Sequence, residues 1–175
     1  MGREIRRVPP TWDHPKTTRF GKSAYQPLRD QDYDAAASEW LQGLLDWEAD
    51  KDGERSRVMR EDGVRHYWDW HGEPPDKDCY RPAWTPEEMT AFQMYETVSE
   101  GTPVTPVFIT KEALVEYLVT HGTFWDNGTG WNRQAAERMV RDEWAPSLIV
   151  RSGPSGTFIA SPREMTPEIM KGDAT

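Results

Sequence analysis

Apolar residues recur at spacings of three and four along much of the chain, and this periodicity predicts amphipathic helices. About four helices are expected, over residues 33–50, 85–99, 110–122 and 132–144, and a further short polar helix over residues 54–62. In the first helix the apolar stripe consists of Ala37, Trp40, Leu41, Leu44 and Leu45. The side chains predicted to be largely buried are Trp40, Leu44, Phe92, Tyr95, Leu114, Leu118, Met139 and Val140.

Several of these helices begin at residues that are typical of N-terminal caps. Asp32 or Asp34 can cap the first helix and Asn132 the last, because their side-chain oxygens accept hydrogen bonds from free backbone N–H groups. Thr85 and Glu88 have the spacing of a capping box, with a proline at the first helical position. These residues set the predicted helix starts.

The segments between and beyond the helices carry turn-forming residues. Residues 1–32 contain four prolines and no helical period, which predicts an extended arm. Alternation over residues 67–71 allows a short strand. Residues 104–109 are a candidate strand or an extended link, and Pro106 favours an edge position for such a strand. Residues 148–150 and 157–160 flank a Gly-Pro-Ser-Gly turn and predict a β-hairpin.

Together these elements predict an α+β fold in one small domain. The domain is mainly helical, with about four helices, a C-terminal β-hairpin and an extended N-terminal arm. The arm covers residues 1–32, the globular domain residues 33–160 and a mobile tail residues 161–175. The chain of 175 residues is long enough for one hydrophobic core. Apolar residues make up only 36%, but nine Trp, six Tyr and five Phe supply large side chains for it.

The composition also indicates a compartment. No apolar run approaches the length that spans a bilayer, and the charged N-terminus is not followed by the apolar stretch of a secretory signal. The single cysteine, Cys79, cannot form an internal disulfide, which is typical of a reducing compartment. We therefore expect a cytoplasmic protein with no membrane association.

Charge is distributed unevenly along the chain, whose formal net charge is −9. Residues 1–22 contain six Lys and Arg against two Asp and Glu, whereas residues 30–62 contain four against eleven. Contact with nucleic-acid phosphates requires a positive surface, so direct nucleic-acid binding is not expected. The acidic middle of the chain instead favours a partner protein with a basic surface.

An acidic surface is predicted around the end of the first helix. Its members are Asp46, Glu48, Asp50, Asp52 and Glu54. One interpretation is that these carboxylates simply form the solvated face of a helix and its flanks. The other is that they imitate an array of phosphates or dock on a basic partner.

An aromatic patch is predicted in the middle of the chain, where large rings are concentrated. Its members are Trp68, Trp70, Tyr80 and Trp84. Such a cluster is typical of surfaces that anchor a protein partner or stack bases. The alternative is that a chain poor in aliphatic residues uses Trp and Tyr to fill its core.

Catalytic and metal-binding motifs are weak in this sequence. His66 and His71 are five residues apart, a spacing that fits neither a helical nor a strand pair of zinc ligands, although Cys79 follows nearby. Cys79 lacks the surroundings of a catalytic nucleophile. Residues 152–156 resemble a nucleophile elbow only in part, since the first glycine is missing. We expect no metal, no cofactor and no catalytic residue.

Several blocks of the sequence form a distinctive set: YWDWHGEPPDK at residues 67–77, YRP at 80–82, TPEE at 85–88, QMYETVSEGTP at 93–103, and GREIRRVP at 2–9 followed by Trp12 and His14-Pro15. In these blocks the chain resembles uncharacterised small proteins of tailed bacteriophages and prophages, over roughly its first two thirds and weakly around residues 145–147. The resemblance implies a phage-encoded protein working in the cytoplasm of an infected bacterium. It implies no activity, cofactor or catalytic residue.

These observations favour a phage-encoded, non-enzymatic interaction protein. We expect it to inhibit a host nucleic-acid-handling or defence complex through the acidic surface, with a host or phage protein as partner. The alternative is a phage accessory or structural component that binds through the aromatic patch. A third hypothesis is an enzyme with a site around residues 66–80.

Overall fold

The computed structural model describes residues 2–51, 53–97, 101–153, 156–167 and 169. The chain forms two compact units. The sheet unit comprises Met1–Pro27 and Trp84–Thr175, and the helical unit comprises Leu28–Ala83. These boundaries differ from the predicted ones, which followed residues 32 and 160.

The described residues contain seven strands and five helices, at roughly 23% strand and 38% helix. The strands are β1 (Gly2–Val8), β2 (Lys16–Arg19), β3 (Lys22–Tyr25), β4 (Ala91–Glu96), β5 (Trp144–Pro146), β6 (Ile149–Gly153) and β7 (Gly156–Ala160). The helices are α1 (Tyr33–Glu48), α2 (Glu54–Glu61), α3 (Tyr67–His71), α4 (Lys111–His121) and α5 (Arg133–Asp142). The prediction of a single, mainly helical domain with an extended N-terminal arm is therefore wrong, although the fold is α+β.

The predicted arm is wrong because its first residues form the central strand of a sheet. The sheet has the order β4-β1-β5, and both neighbours are antiparallel to β1. Arg3 lies opposite Glu96 on one side and Ala145 on the other. The prolines that suggested an arm follow β1 instead of interrupting it. A second antiparallel pair, β2-β3, is formed by the rest of the segment.

The helix predicted over residues 85–99 is also wrong, because β4 (Ala91–Glu96) lies in the middle of it. Its capping residues form only a turn: the backbone N–H of Thr85 donates to the Glu88 carboxylate at 2.8 Å, and the strand begins at Ala91. The spacing of Phe92 and Tyr95 suggested one helical face, but in the strand these rings point to opposite faces of the sheet. Residues 98–99, the predicted end of this helix, lie outside the described residues.

Two helices cover one face of the sheet. α4 and α5 pack there around a cluster of buried side chains: Ile5, Met94, Val104, Leu114, Val115, Leu118, Trp131, Ala136, Met139, Val140 and Ala145. The predicted burial of Leu114, Leu118, Met139 and Val140 is confirmed. Tyr95 is buried as predicted too, whereas Phe92 is only partly buried.

Aromatic side chains cover the opposite face of the sheet. Val8, Ala91 and Tyr95 pack there against Trp12 and Trp84, whose rings are 4.7 Å apart. The indole N–H of Trp12 donates to the Tyr95 hydroxyl at 3.0 Å. Tyr95 is thus buried while its hydroxyl group is hydrogen-bonded, as is usual for buried tyrosines.

The other predicted elements agree with the structure more closely. α1, α2, α4 and α5 lie within two residues of their predicted bounds, and the β6-β7 hairpin is confirmed. The caps are confirmed as well: Asp32 accepts from the N–H of Ala35, and Asn132 from that of Gln134. Residues 67–71 form a helix, which corrects the predicted strand.

Two further segments to compare with the predictions are residues 104–109 and the C-terminal tail. Of the two alternatives for residues 104–109, the structure has a link and no strand. This link joins β4 through an isolated bridge between Phe108 and Phe92 and through a hydrogen bond from the Val104 N–H to the Met94 carbonyl at 2.8 Å. In the predicted tail, Met165 is fully buried and its carbonyl accepts a hydrogen bond from Arg138 at 2.8 Å. Residues 168 and 170–175 of that tail lie outside the described residues.

Leu118→Ala tests the core of the sheet unit. Leu118 is fully buried between α4 and the sheet. The truncation leaves a cavity, so we expect a loss of about 2–5 kcal/mol in the free energy of unfolding. Leu148→Ala in the same unit is the matched control, because Leu148 is 54% exposed and should change stability by less than about 0.5 kcal/mol. Urea denaturation of both variants gives the comparison, and equal losses would contradict this core.

His14 makes the stability of the sheet unit depend on pH. Its ring is buried, and Nε2 donates to the Gln26 carbonyl at 2.7 Å. Burial lowers the pKa of His14 below its ordinary value of 6.5, and nearby Arg6 acts in the same direction, against the opposing effects of the Gln26 hydrogen bond and Asp13. The unfolded chain therefore binds this proton more readily than the folded chain.

We expect the free energy of unfolding to fall as the pH is lowered through about 6.5, by at most about 1.4 kcal/mol per pH unit from this residue. The His14→Gln variant should lack that part of the slope, although its stability is lower throughout. Urea denaturation of both proteins between about pH 5 and pH 7.5 measures the difference. Parallel slopes for the two proteins would refute this role of His14.

Candidate functional site

The helical unit carries most of the net negative charge of the protein. Leu28–Ala83 contains fifteen Asp and Glu against eight Lys and Arg, a net charge of −7. The formal charge of the entire chain is −9. A site for a cationic ligand is therefore best sought within this unit.

The face of α1 that packs against the rest of the helical unit differs from the predicted stripe. Ala36 and Trp47 are buried, and Trp40 and Leu44 are half-buried. Leu41 is 52% exposed. Leu45, one turn later, is exposed as well. The buried face is thus rotated about the helix axis, toward the side that carries Gly43.

Gly43 allows α3 to approach α1 closely. A Cβ atom at this position would lie 2.1 Å from the Tyr67 hydroxyl oxygen, far inside van der Waals contact. The Tyr67 ring packs edge-on against Trp40, with centroids 5.5 Å apart. The indole N–H of Trp40 donates to the Gly72 carbonyl at 3.0 Å, which fixes the loop after α3.

Backbone hydrogen bonds also join the start of the helical unit to its end. The N–H of Arg29 donates to the Cys79 carbonyl at 2.9 Å, and the N–H of Arg81 donates to the Arg29 carbonyl at 3.0 Å. The Arg29 guanidinium donates to the Tyr80 hydroxyl at 3.1 Å. These bonds hold residues 79–81 beside the segment that precedes α1.

A pocket of about 670 Å³ lies within the helical unit. This volume is in the range of about 300–1,000 Å³ that is typical of ligand sites. The side chains that bear on its chemistry are Arg29, Glu39, Trp40, Glu73, Asp76 and Cys79. Tyr67, Tyr80 and His71 complete an aromatic part of its wall.

Carboxylates outnumber cations in the wall of the pocket. Glu39, Glu73 and Asp76 face one guanidinium, that of Arg29. Glu39 and Glu73 are exposed and form no hydrogen bond or ion pair with any described residue. One oxygen of Asp76 accepts the N–H of Asp78 at 3.0 Å. The pocket therefore combines an indole with a net negative charge.

The predicted acidic surface is partly neutralised by the protein itself. Asp50 binds the Arg60 guanidinium, and Glu54 lies 3.6 Å from Arg57. Asp46 is half-buried and accepts from Gln42 at 2.9 Å. Glu48 is exposed, and Asp52 lies outside the described residues.

The members of the predicted aromatic patch differ in exposure and belong to two units. Tyr80 is buried, and Trp70 is half-buried with its ring 5.7 Å from that of Trp47. Trp84 belongs to the sheet unit. Trp68 is 39% exposed and stacks on His66, with centroids 4.5 Å apart. Most of these rings therefore stabilise the two units from within.

Nucleophilic and metal chemistry find little support in the pocket. His71 and Cys79 both line it, but no hydrogen bond joins them within the described part of the chain. An activated thiol needs a base within hydrogen-bonding distance. The same part of the chain contains no group of three His, Cys, Asp or Glu side chains placed to hold a metal ion.

The pocket residues Glu39, Glu73 and Asp76 were not identified from the sequence. Acidic residues are too frequent in this chain for any of them to stand out. One local signal was present: Gly43 interrupts the middle of a helix, and such glycines often mark a close packing contact. That contact is the one with Tyr67 beside the pocket.

The chain has no match among protein-family models, curated proteins or solved structures. Among the residues described, none of the helices has the length and apolar character needed to cross a bilayer.

Gly43→Ala tests the packing beside the pocket. Inside an exposed helix this change usually stabilises by about 1 kcal/mol. Here the added methyl group collides with Tyr67, so we expect a loss of stability. Ser38→Ala on the same helix is the control, because Ser38 is exposed and should be nearly neutral. Thermal denaturation compares the variants, and a more stable Gly43→Ala protein would disprove the close contact.

Proposed function

We propose that this protein is a non-enzymatic interaction protein whose helical unit binds a partner with a basic surface. The observation that carries the proposal is the charge imbalance of Leu28–Ala83, concentrated in a unit that also contains a pocket. Complementary charge accelerates association and selects the partner.

The partner we propose is a nucleic-acid-handling or defence complex of a bacterial host. The resemblance to bacteriophage proteins supports that setting, and an exposed array of carboxylates suits a surface that normally contacts phosphates. Binding there would exclude the nucleic acid and inhibit the complex. The protein itself would contact no nucleic acid and perform no catalytic step.

Two alternatives receive less support. Binding through the aromatic patch requires exposed rings, but Tyr80 is buried and Trp70 is half-buried. An enzyme centred on Cys79 would need a base bonded to the thiol, and His71 forms no such bond within the described residues. The charge of the helical unit is the stronger basis.

Reversal of two carboxylates at helix ends tests this proposal. Glu48 is the last residue of α1, and Asp62 is the C-terminal cap of α2. Lysine at these positions interacts favourably with the helix dipole, so the fold of a Glu48→Lys/Asp62→Lys variant should survive. Asp13→Lys/Glu87→Lys makes the same change in net charge at two exposed positions of the sheet unit outside any helix, and it serves as the control.

All three proteins are immobilised and exposed to lysate of a bacterial host, and a captured protein is then purified and titrated. We expect wild type and control to bind it, and the helical-unit variant to bind it at least about tenfold more weakly. Affinity should fall between about 50 mM and about 500 mM salt, and duplex DNA should compete. Binding indifferent to salt and DNA would reject charge-driven docking.

A further inference from the structure

We propose that the pocket of the helical unit binds an arginine side chain of the partner protein. This inference rests on the proposed function and identifies the chemistry that the partner must present. The pocket combines the indole of Trp40 with the carboxylates of Glu39 and Glu73. A guanidinium is the group that uses both, because it stacks on an aromatic ring and donates paired hydrogen bonds to a carboxylate.

The same unit already contains an arginine held in this way. The Arg60 guanidinium lies over the Trp47 ring, 4.1 Å from its centroid, while it binds the Asp50 carboxylate. A tryptophan and a neighbouring carboxylate thus form an arginine site within this protein. At the pocket, Trp40 and Glu39 offer the same two groups, and no guanidinium of the described residues is bonded to Glu39.

Arg29 does not fill this role. Its guanidinium lies over the Tyr80 ring, 5.5 Å from the centroid, and donates to the hydroxyl of that residue. No ion pair joins Arg29 to Glu39, Glu73 or Asp76 in the described structure. Three carboxylates against one guanidinium leave the wall negative, which favours a further cation.

The dimensions of the pocket favour a residue in a peptide over a free cation. A volume of about 670 Å³ is more than one guanidinium group fills. Pro74 and Pro75 also line the pocket and add apolar surface for a flanking peptide. We therefore assign the occupant as arginine within a polypeptide.

Nα-acetyl-arginine methylamide is the probe that tests this assignment. Its binding to the full-length protein is followed by the indole N–H signal of Trp40 in ¹H–¹⁵N NMR spectra, assigned with Trp40→Phe. We expect saturation with a dissociation constant on the order of 1 mM. The citrulline analogue, which keeps the shape without the charge, should bind about tenfold more weakly.

Two further probes test which cationic group binds and whether it must belong to a peptide. The lysine analogue should bind more weakly than arginine, because an ammonium neither stacks nor forms paired hydrogen bonds. n-Butylguanidinium lacks the peptide groups and should also bind more weakly. Equal binding of citrulline or lysine would overturn the guanidinium assignment. Equal binding of n-butylguanidinium would assign the pocket to a small free cation instead.

Glu39→Gln provides the matched variant. It removes one charge from the pocket without changing size, and we expect about tenfold weaker binding of the arginine probe. Asp34→Asn removes one charge from the first turn of the same helix, outside the pocket, and should leave binding unchanged. Equal effects of the two variants, or no saturable shift of the Trp40 signal, would refute the site.

The outcome is distinguishable from that of the proposed function. If the arginine probe fails while Glu48→Lys/Asp62→Lys still abolishes capture of the partner, charge-driven docking stands and the arginine site is rejected. If the probe binds while capture is unaffected by charge reversal, the pocket binds arginine but the docking proposal is rejected.

Discussion

The strand β1 hydrogen-bonds to β4 along one edge and to β5 along the other, and the sheet unit depends on this double pairing. It places Arg3 inside the unit, 3.5 Å from Glu96 and 3.7 Å from Asp126, with its guanidinium over the Trp131 ring. Burial alone would raise the pKa of Asp126, but hydrogen bonds from Thr123 and Trp131, together with Arg3, lower it. The carboxylate therefore stays charged and compensates a guanidinium that would be costly to bury alone.

The packing of the helical unit depends on a steric constraint at Gly43. Because Gly43 has no side chain, Tyr67 can pack directly on the backbone of α1. That contact sets the position of α3, and the bond from Trp40 to Gly72 then fixes the loop that forms one wall of the pocket. The shape of the pocket thus follows from one glycine and two aromatic residues.

Some carboxylates of the helical unit form ion pairs with arginines, and others form no ion pair with any described residue. Around the end of α1, Arg60 and Arg57 balance Asp50 and Glu54. Exposed ion pairs of this kind contribute little stability, but they reduce the local potential. At the pocket the balance is different, since Glu39 has no cation of the described residues bonded to it. Two carboxylates of the predicted acidic surface are thus paired with arginines, whereas Glu39 at the pocket has no such partner among the described residues.

The sequence by itself determined the helices with clear caps, such as those begun by Asp32 and Asn132, because capping and helical hydrogen bonds join residues close along the chain. It also determined the acidic character of residues 30–62, since charge depends on composition alone. Tertiary structure decided that Gly2–Val8 and Ala91–Glu96 are paired strands, because their hydrogen-bonding partners are remote in sequence and the side chains that pack on both faces of the sheet come from other segments. It likewise decided which face of α1 is buried and which carboxylates meet at the pocket, since both depend on where the loop after α3 comes to lie.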